Sequence, residues 1–98
     1  MQTPWGMADY VERLSDAVAF CGTPSHGGFY VSNTVIDRIP KPWREYAKRS
    51  SGSEQWFEED CAAIAVVISF PELFSTSQVE AAQSMAKQCL PKLEPQAA

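Results

Sequence analysis

The run from Cys61 to Phe70, CAAIAVVISF, most limits how this chain can fold, because nearly every side chain in it is apolar. It has about half of the roughly 20 residues that a membrane-spanning helix needs, so we expect it to be buried inside a soluble protein. The acidic segment EQWFEED, residues 54–60, comes just before it, and acidic residues stabilise the N-terminal end of a helix. We therefore predict one central helix that begins in the acidic segment and stops at Pro71. A buried strand is the alternative, since IAVVI is rich in β-branched residues.

Three stretches in the first third of the chain predict short antiparallel strands. They are DYVERL at residues 9–14, AVAFCG at 17–22 and FYVS at 29–32. Valine, phenylalanine and tyrosine favour strands, and the neighbouring glycines favour turns. An amphipathic helix over residues 7–20 is the alternative, because apolar residues of this segment also fall near one helical face.

Two short helices are predicted between these strands and the apolar run. Ser32 or Asn33 can cap the first, TVIDRI, and Pro40 ends it. Pro42 suits the first turn of the second, WREYAKR. The segment SSGS at residues 50–53 is typical of a flexible loop.

A last amphipathic helix is predicted over QVEAAQSMAKQCL, residues 78–90. Ser77 and Glu80 have the spacing of a capping box at its start, and Pro91 would close it. Together these elements predict an α+β fold in which a three-stranded antiparallel sheet packs against two or three helices. We expect a single domain over residues 1–98, with an ordered core at about 3–91 and a tail at 92–98.

The charge of the chain argues against a protein that coats nucleic acid. Its 98 residues carry a formal net charge of -4 at pH 7, whereas such proteins present a basic face to phosphates. We expect a partner with a basic surface instead, and no direct contact with nucleic acid or membrane. No cofactor is predicted, because the glycines fit neither phosphate-binding pattern, G-x-x-x-x-G-K-[ST] or G-x-G-x-x-G.

Three cysteines, Cys21, Cys61 and Cys89, form no C-x-x-C pair. An odd number without such a motif suits reduced thiols, and free cysteines are mostly buried. We therefore predict reduced thiols and a cytoplasmic protein.

The segment TPSHGG, Thr23 to Gly28, contains the only histidine. We predict that it forms a turn between two strands, in which the glycines take backbone conformations closed to other residues and His26 is hydrogen-bonded internally. The residues assigned to this structural role are Thr23, Ser25, His26, Gly27 and Gly28.

Catalytic and metal-binding roles for His26 are the alternatives. Histidine is the only base in this chain that titrates near neutral pH, but Ser25 beside it would point to the opposite face of a strand. A zinc site would have to draw its ligands from residues whose spacing fits no standard pattern. These residues are Cys21, His26, Glu59, Asp60 and Cys61.

The densest cluster of charge comprises Glu54, Glu58, Glu59 and Asp60. One interpretation is that these carboxylates only stabilise the first turn of the central helix. The other is that they form a negative patch that docks on a basic surface and takes the place of phosphates, with Trp56 as an aromatic anchor.

Five separated motifs give the chain a resemblance to a known family. Their order resembles that of a family of small uncharacterised domains carried by phages, plasmids and other mobile elements of proteobacteria. The likeness covers about residues 3–74, and the last helix departs from the family's pattern. The motifs are TPWG followed by Ala8-Asp9, TPSHGG, Pro40, the block WFEEDC from Trp56 to Cys61, and FPELF from Phe70 to Phe74.

The resemblance implies no assigned activity, but small acidic proteins of mobile elements often inhibit host defence. We therefore predict a non-enzymatic inhibitor of host defence, foremost an anti-CRISPR protein that binds a CRISPR effector complex stoichiometrically and blocks its DNA-binding surface. A restriction enzyme is the other expected target. The alternatives are a small His/Cys-based hydrolase or metal-dependent enzyme centred on His26, and an accessory protein-interaction domain. The predicted partner-binding residues are Glu54, Trp56, Glu58, Glu59 and Asp60.

Overall fold

Residues 1–89 are described by the computed structural model, which has an α+β architecture. A hairpin of β1 (Gln2–Thr3) and β2 (Gly6–Met7) precedes a four-stranded antiparallel sheet. The strands of that sheet are β3 (Tyr10–Arg13), β4 (Val18–Gly22), β5 (Gly27–Val31) and β6 (Trp56–Glu58), in the order β3-β4-β5-β6. The three predicted strands are therefore confirmed as β3, β4 and β5, and the helix over residues 7–20 is excluded.

The fourth strand, β6, corrects both the predicted three-stranded sheet and the predicted start of the central helix. Trp56 pairs with Tyr30 and Phe57 with Phe29, so part of the acidic segment belongs to the sheet. Phe57 points into the core and is fully buried, while Trp56 and Glu58 lie on the other face. Pairing with a strand distant in sequence thus outweighs the local preference of acidic residues for a helix start.

Three helices complete the described fold: α1 (Lys41–Ser51), α2 (Cys61–Ser69) and α3 (Thr76–Cys89). The apolar run is helical as α2, so the alternative of a buried strand is wrong. The predicted helix TVIDRI is reduced to one 3-10 turn over Ile36–Arg38. The segment SSGS is only partly a loop, because Ser50 and Ser51 form the last residues of α1.

A capping box opens α3, two residues before the predicted pair. The Ser75 Oγ accepts a hydrogen bond from the Gln78 N–H at 3.1 Å, and the Gln78 Oε1 accepts one from the Ser75 N–H at 2.8 Å. This reciprocal pair satisfies two N–H groups at the helix start, so α3 begins at Thr76. The predicted stop at Pro91 and the predicted tail lie outside the described residues.

The core lies between the sheet and the helices. Val18, Phe29, Val31 and Phe57 project from the inner face of the sheet, which we define as the face packed against the helices. The buried residues of α2 fill the centre, as expected for a helix that is apolar on most sides. Among the described helices, none combines the length and hydropathy needed to cross a bilayer.

The cysteines differ from the prediction of three reduced thiols. Cys61 and Cys89 form a disulfide, because α3 packs back along α2 and brings their Cα atoms to 5.2 Å. Cys21 is free and fully buried. Disulfides persist mainly in oxidising compartments, so the thiol argument for a cytoplasmic location no longer holds, and that location stays a prediction.

Candidate functional site

The TPSHGG segment joins β4 to β5, and Thr23 fixes its shape. The Thr23 hydroxyl accepts a hydrogen bond from the His26 N–H at 3.0 Å and donates one to the His26 carbonyl at 2.8 Å. The Thr23 N–H also donates to that carbonyl at 2.7 Å. These contacts close the turn and leave Ser25 and the His26 side chain exposed.

Only a glycine fits at position 28, because the Trp5 ring and the backbone of β6 pass close to its Cα atom. A Cβ at Gly28 would lie 2.5 Å from Trp5 Cη2 and 2.6 Å from the Phe57 carbonyl oxygen, which real Cβ atoms do not tolerate. The expectation of an unusual backbone conformation was wrong, because Gly27 and Gly28 lie within β5 and neither has a positive φ. The TPWG and TPSHGG motifs therefore meet in space through Trp5 and Gly28.

His26 pairs with a carboxylate of the WFEEDC block. Its Nδ1 lies 3.2 Å from Glu58 Oε2, with the His26 side chain 52% exposed and the Glu58 side chain 28% exposed. This ion-pair contact gives His26 a neighbour within the protein, but the imidazole is not buried, and its internal hydrogen bond stays a prediction. Because Nδ1 faces Glu58, the Nε2 atom is left on the side away from that carboxylate.

The residues that follow Glu58 turn the chain from β6 into α2. The Glu59 N–H donates to the Gly27 carbonyl at 2.8 Å, which ties this turn to the TPSHGG segment. Asp60 has a φ of 87° and occupies the position before the first residue of α2. Its side chain makes no capping hydrogen bond there, although its carboxylate lies at the N-terminal end of the helix, where the helix dipole favours negative charge.

Glu58, Glu59 and Asp60 together form what we call the acidic corner. Glu59 and Asp60 are exposed, and within residues 1–89 neither takes part in an ion pair. A recess of about 110 Å³ opens beside them, lined also by Tyr46 and Ser50 of α1. Two exposed carboxylates next to a small polar recess give this corner a concentrated negative charge.

Glu54 is separate from the acidic corner. Its Oε1 lies 3.6 Å from Arg44 Nη1, and the same Arg44 donates from Nε to the Ile39 carbonyl at 3.0 Å. Arg44 therefore offsets part of the Glu54 charge, and its Nη1 also lies 3.9 Å from Asp37 Oδ1. Of the four predicted carboxylates, the structure brings three together and places the fourth in a different contact.

Trp56 lies in an aromatic cluster on the outer face of the sheet, the face opposite the inner one. Its ring centroid is 5.8 Å from that of Trp5 in an edge-to-face arrangement and 5.1 Å from that of Tyr30. Trp56 is half-buried and shares the outer face with Glu58, two residues along the strand. The role of Trp5 in this cluster was missed, because no local pattern links residues so far apart in sequence.

The residues considered for zinc are not assembled around His26. Cys21 is buried on the outer face with its Sγ 3.4 Å from Met1 Sδ, and Cys61 is bonded to Cys89. Within the described residues, no three His, Cys, Asp or Glu side chains are grouped so as to hold a metal ion. Cys21 and Cys61 are likewise not placed to act as nucleophiles with His26.

A shallow cleft of about 220 Å³ lies beside the TPSHGG turn. Thr23, Ser25 and His26 line one part of it, and Glu59 lines another. Hydroxyl, imidazole and carboxylate groups thus share one surface with the acidic corner. Over residues 1–89, however, no hydroxyl group lies within hydrogen-bonding distance of the His26 ring.

Comparison with known proteins places the chain in a family without assigning it an activity. Neither the curated proteins nor the solved structures include a significant match to it. One family model matches residues 1–96, nearly the whole sequence. The chain therefore belongs to the family described as Domain of unknown function (DUF7007).

Proposed function

We propose that this chain is a protein-binding domain that docks its acidic corner on the basic, nucleic-acid-binding surface of a partner protein. The observation that carries the proposal is the exposure of Glu59 and Asp60, which have no ion-pair partner within residues 1–89. A net charge of -4 adds long-range attraction to a basic partner. The corner would then occupy a surface that otherwise binds phosphates.

Inhibition of host defence is the biological role we propose for this docking. The motifs of the chain resemble those of domains carried by mobile elements, whose small acidic proteins often block defence complexes. The partner would be a CRISPR effector or a restriction enzyme, bound stoichiometrically at its DNA-binding surface. Such a role requires no catalytic group, since blocking needs only affinity and complementary charge.

The half-buried ring of Trp56 would extend the docking surface along β6. Trp56 and Glu58 share the outer face, so a partner that contacts the acidic corner also reaches the exposed part of this ring. Tryptophan is enriched among residues that contribute most to binding energy. Glu54 would contribute less, because Arg44 already pairs with it.

Affinity purification followed by charge reversal tests this proposal. The tagged protein is recovered from cells carrying active CRISPR and restriction systems, and co-eluting proteins are identified by mass spectrometry. Binding to the recovered partner is then measured for Glu59→Lys/Asp60→Lys and for a matched control, Asp16→Lys/Glu80→Lys. All four residues are exposed, and both variants change the net charge equally.

Slower association of the Glu59/Asp60 variant alone is the expected result, because local charge complementarity governs encounter. Equal loss in both variants would mean that only net charge matters. If both variants bind the recovered partner with the same affinity as the unmodified protein does, the acidic corner is not the interface.

A second candidate function rests on the pairing of His26 with Glu58. A carboxylate on Nδ1 orients an imidazole so that Nε2 can accept a proton, which is the arrangement that a general base requires. The cleft beside the turn would hold the substrate of a small hydrolase. Loss of a hydrolytic activity in His26→Ala, with the circular dichroism spectrum unchanged, would favour this function over docking.

An accessory interaction domain is the third candidate, and the same purification distinguishes it. If the chain is such a domain, the protein that co-purifies with it should be encoded by the mobile element itself rather than by the host.

A further inference from the structure

The two edges of the four-stranded sheet differ in how they are protected. At the β6 edge, the Ser51 hydroxyl of α1 lies 2.9 Å from the Trp56 carbonyl and donates to it. At the other edge, β3 pairs with β4 on one side, and no described strand pairs with its other side. All four residues of β3 are exposed. An exposed strand edge presents unpaired N–H and C=O groups that can pair with another strand.

Exposed apolar side chains are concentrated at the β3 edge. Of the five large apolar residues exposed within residues 1–89, four lie on β3 or on the hairpin beside it: Met1, Met7, Tyr10 and Val11. Met1 lies against Cys21, and Cys21 is the cross-strand partner of Val11. Met1 and Val11 are thus exposed on the outer face and Tyr10 on the inner face, so both faces of this edge carry exposed apolar side chains.

The backbone groups available at this edge follow from the pairing of β3 with β4. The Leu14 N–H donates to the Val18 carbonyl at 2.9 Å, so the residues that bond β4 alternate from Leu14 to Glu12 and Tyr10. The intervening residues, Val11 and Arg13, direct their N–H and C=O groups to the open edge, whereas the Asp9 N–H is held by the Gly22 carbonyl at 2.9 Å.

The sequence of β3 is complementary to itself in one register. If two copies pair antiparallel with Val11 opposite Val11, then Tyr10 lies opposite Glu12 and Asp9 lies opposite Arg13. The two symmetric Asp9–Arg13 pairs bring opposite charges together across the strands. This register also uses the free groups of Val11 and keeps the inner faces of both sheets on the same side.

We propose that β3 is a dimer interface, in which two copies of this chain pair their open edges antiparallel about a two-fold axis at Val11. The result is one continuous eight-stranded sheet, with the β6 strands and both acidic corners at its two ends. This inference is independent of the proposed function, because it rests on β3 and the hairpin rather than on the acidic corner.

Sedimentation equilibrium of the full chain, combined with a charge swap, tests the interface and its register. The unmodified protein is expected to dimerise. Asp9→Arg and Arg13→Asp each place like charges opposite one another twice, so each should raise the dimer dissociation constant by roughly tenfold. The double variant Asp9→Arg/Arg13→Asp restores opposite charges and should recover most of the affinity.

A proline at Val11 provides a second test that does not depend on charge. Because the Val11 N–H faces the open edge, Val11→Pro should leave the β3–β4 pairing intact and abolish dimerisation. A circular dichroism melt measures the folding of each variant.

Three results would overturn the proposal. They are an unmodified protein that is monomeric at concentrations of hundreds of micromolar, a charge-swap double variant no tighter than the single variants, and a folded Val11→Pro variant that still dimerises.

Discussion

At the residue scale, the motifs that look like signatures of function turn out to hold distant segments together. Gly28 admits the ring of Trp5, and His26 pairs with Glu58. In the same way, Arg38 donates to both carboxylate oxygens of Glu72 in FPELF, at 2.7 and 3.0 Å. These hydrogen bonds hold the pKa of Glu72 below its ordinary value.

Substitution of Gly28 tests whether close packing explains the second glycine of TPSHGG. Gly28→Ala would force the Trp5 ring or the β6 backbone to shift, so we expect a loss of about 1 to 3 kcal/mol in the free energy of unfolding. Gly22→Ala is the matched control, since a Cβ there meets its nearest neighbour at an ordinary 3.7 Å. Urea denaturation measures both, and equal stability of the two variants would contradict this explanation.

At the element scale, α3 buries little of its own apolar surface. Ala82 is its only buried residue within residues 76–89, and it packs mainly on Ile64 and the neighbouring residues of α2. The disulfide between Cys61 and Cys89 joins the start of α2 to the end of α3. The bond therefore adds a covalent link to an attachment that rests on few buried apolar side chains.

Removal of this disulfide is expected to destabilise the fold. The two cysteines are 28 residues apart, and a closed loop of that size restricts the unfolded chain by about 3 to 4 kcal/mol. Cys61→Ser/Cys89→Ser should lose a similar amount in urea denaturation, and α3 should lose hydrogen-exchange protection first. A dithiol reductant should lower the stability of the unmodified protein and leave the double variant unchanged; a reductant without effect on either would show that the bond contributes nothing.

At the scale of the whole molecule, the N-terminal hairpin acts as a cover for the outer face of the sheet. Thr3 is buried, its hydroxyl donates to the Gly6 carbonyl at 2.7 Å, and this fixes the turn that presents Trp5 to the sheet. Beneath the hairpin, Cys21 is fully buried, and burial raises the pKa of its thiol because the thiolate is poorly solvated there.

Thiol labelling of Cys21 measures how firmly the hairpin is held. We expect slow reaction with an aromatic disulfide reagent in the folded protein, and a rate roughly tenfold higher in Trp5→Ala, which loosens the hairpin. Met7→Ala is the control, because Met7 lies on the same hairpin and is 61% exposed. If Trp5→Ala and Met7→Ala react at the same rate as the unmodified protein, the hairpin does not control access to Cys21.

Elements that rest on local patterns can be predicted from the sequence alone. The apolar run predicts α2 because its burial is needed whatever surrounds it, and alternation with flanking glycines predicts β3, β4 and β5. The sequence also indicated His26 and the acidic residues that form the acidic corner as candidate functional residues. These patterns depend on residues that are close together in the sequence.

Contacts between distant segments determine which of those residues act together. β6 exists because Phe57 is buried against β5, and the disulfide exists because α3 returns along α2. Glu58 is paired with His26 and Glu54 with Arg44, which leaves Glu59 and Asp60 as the exposed charges of the corner. Each of these outcomes joins segments far apart in sequence, and no local propensity specifies such a pairing.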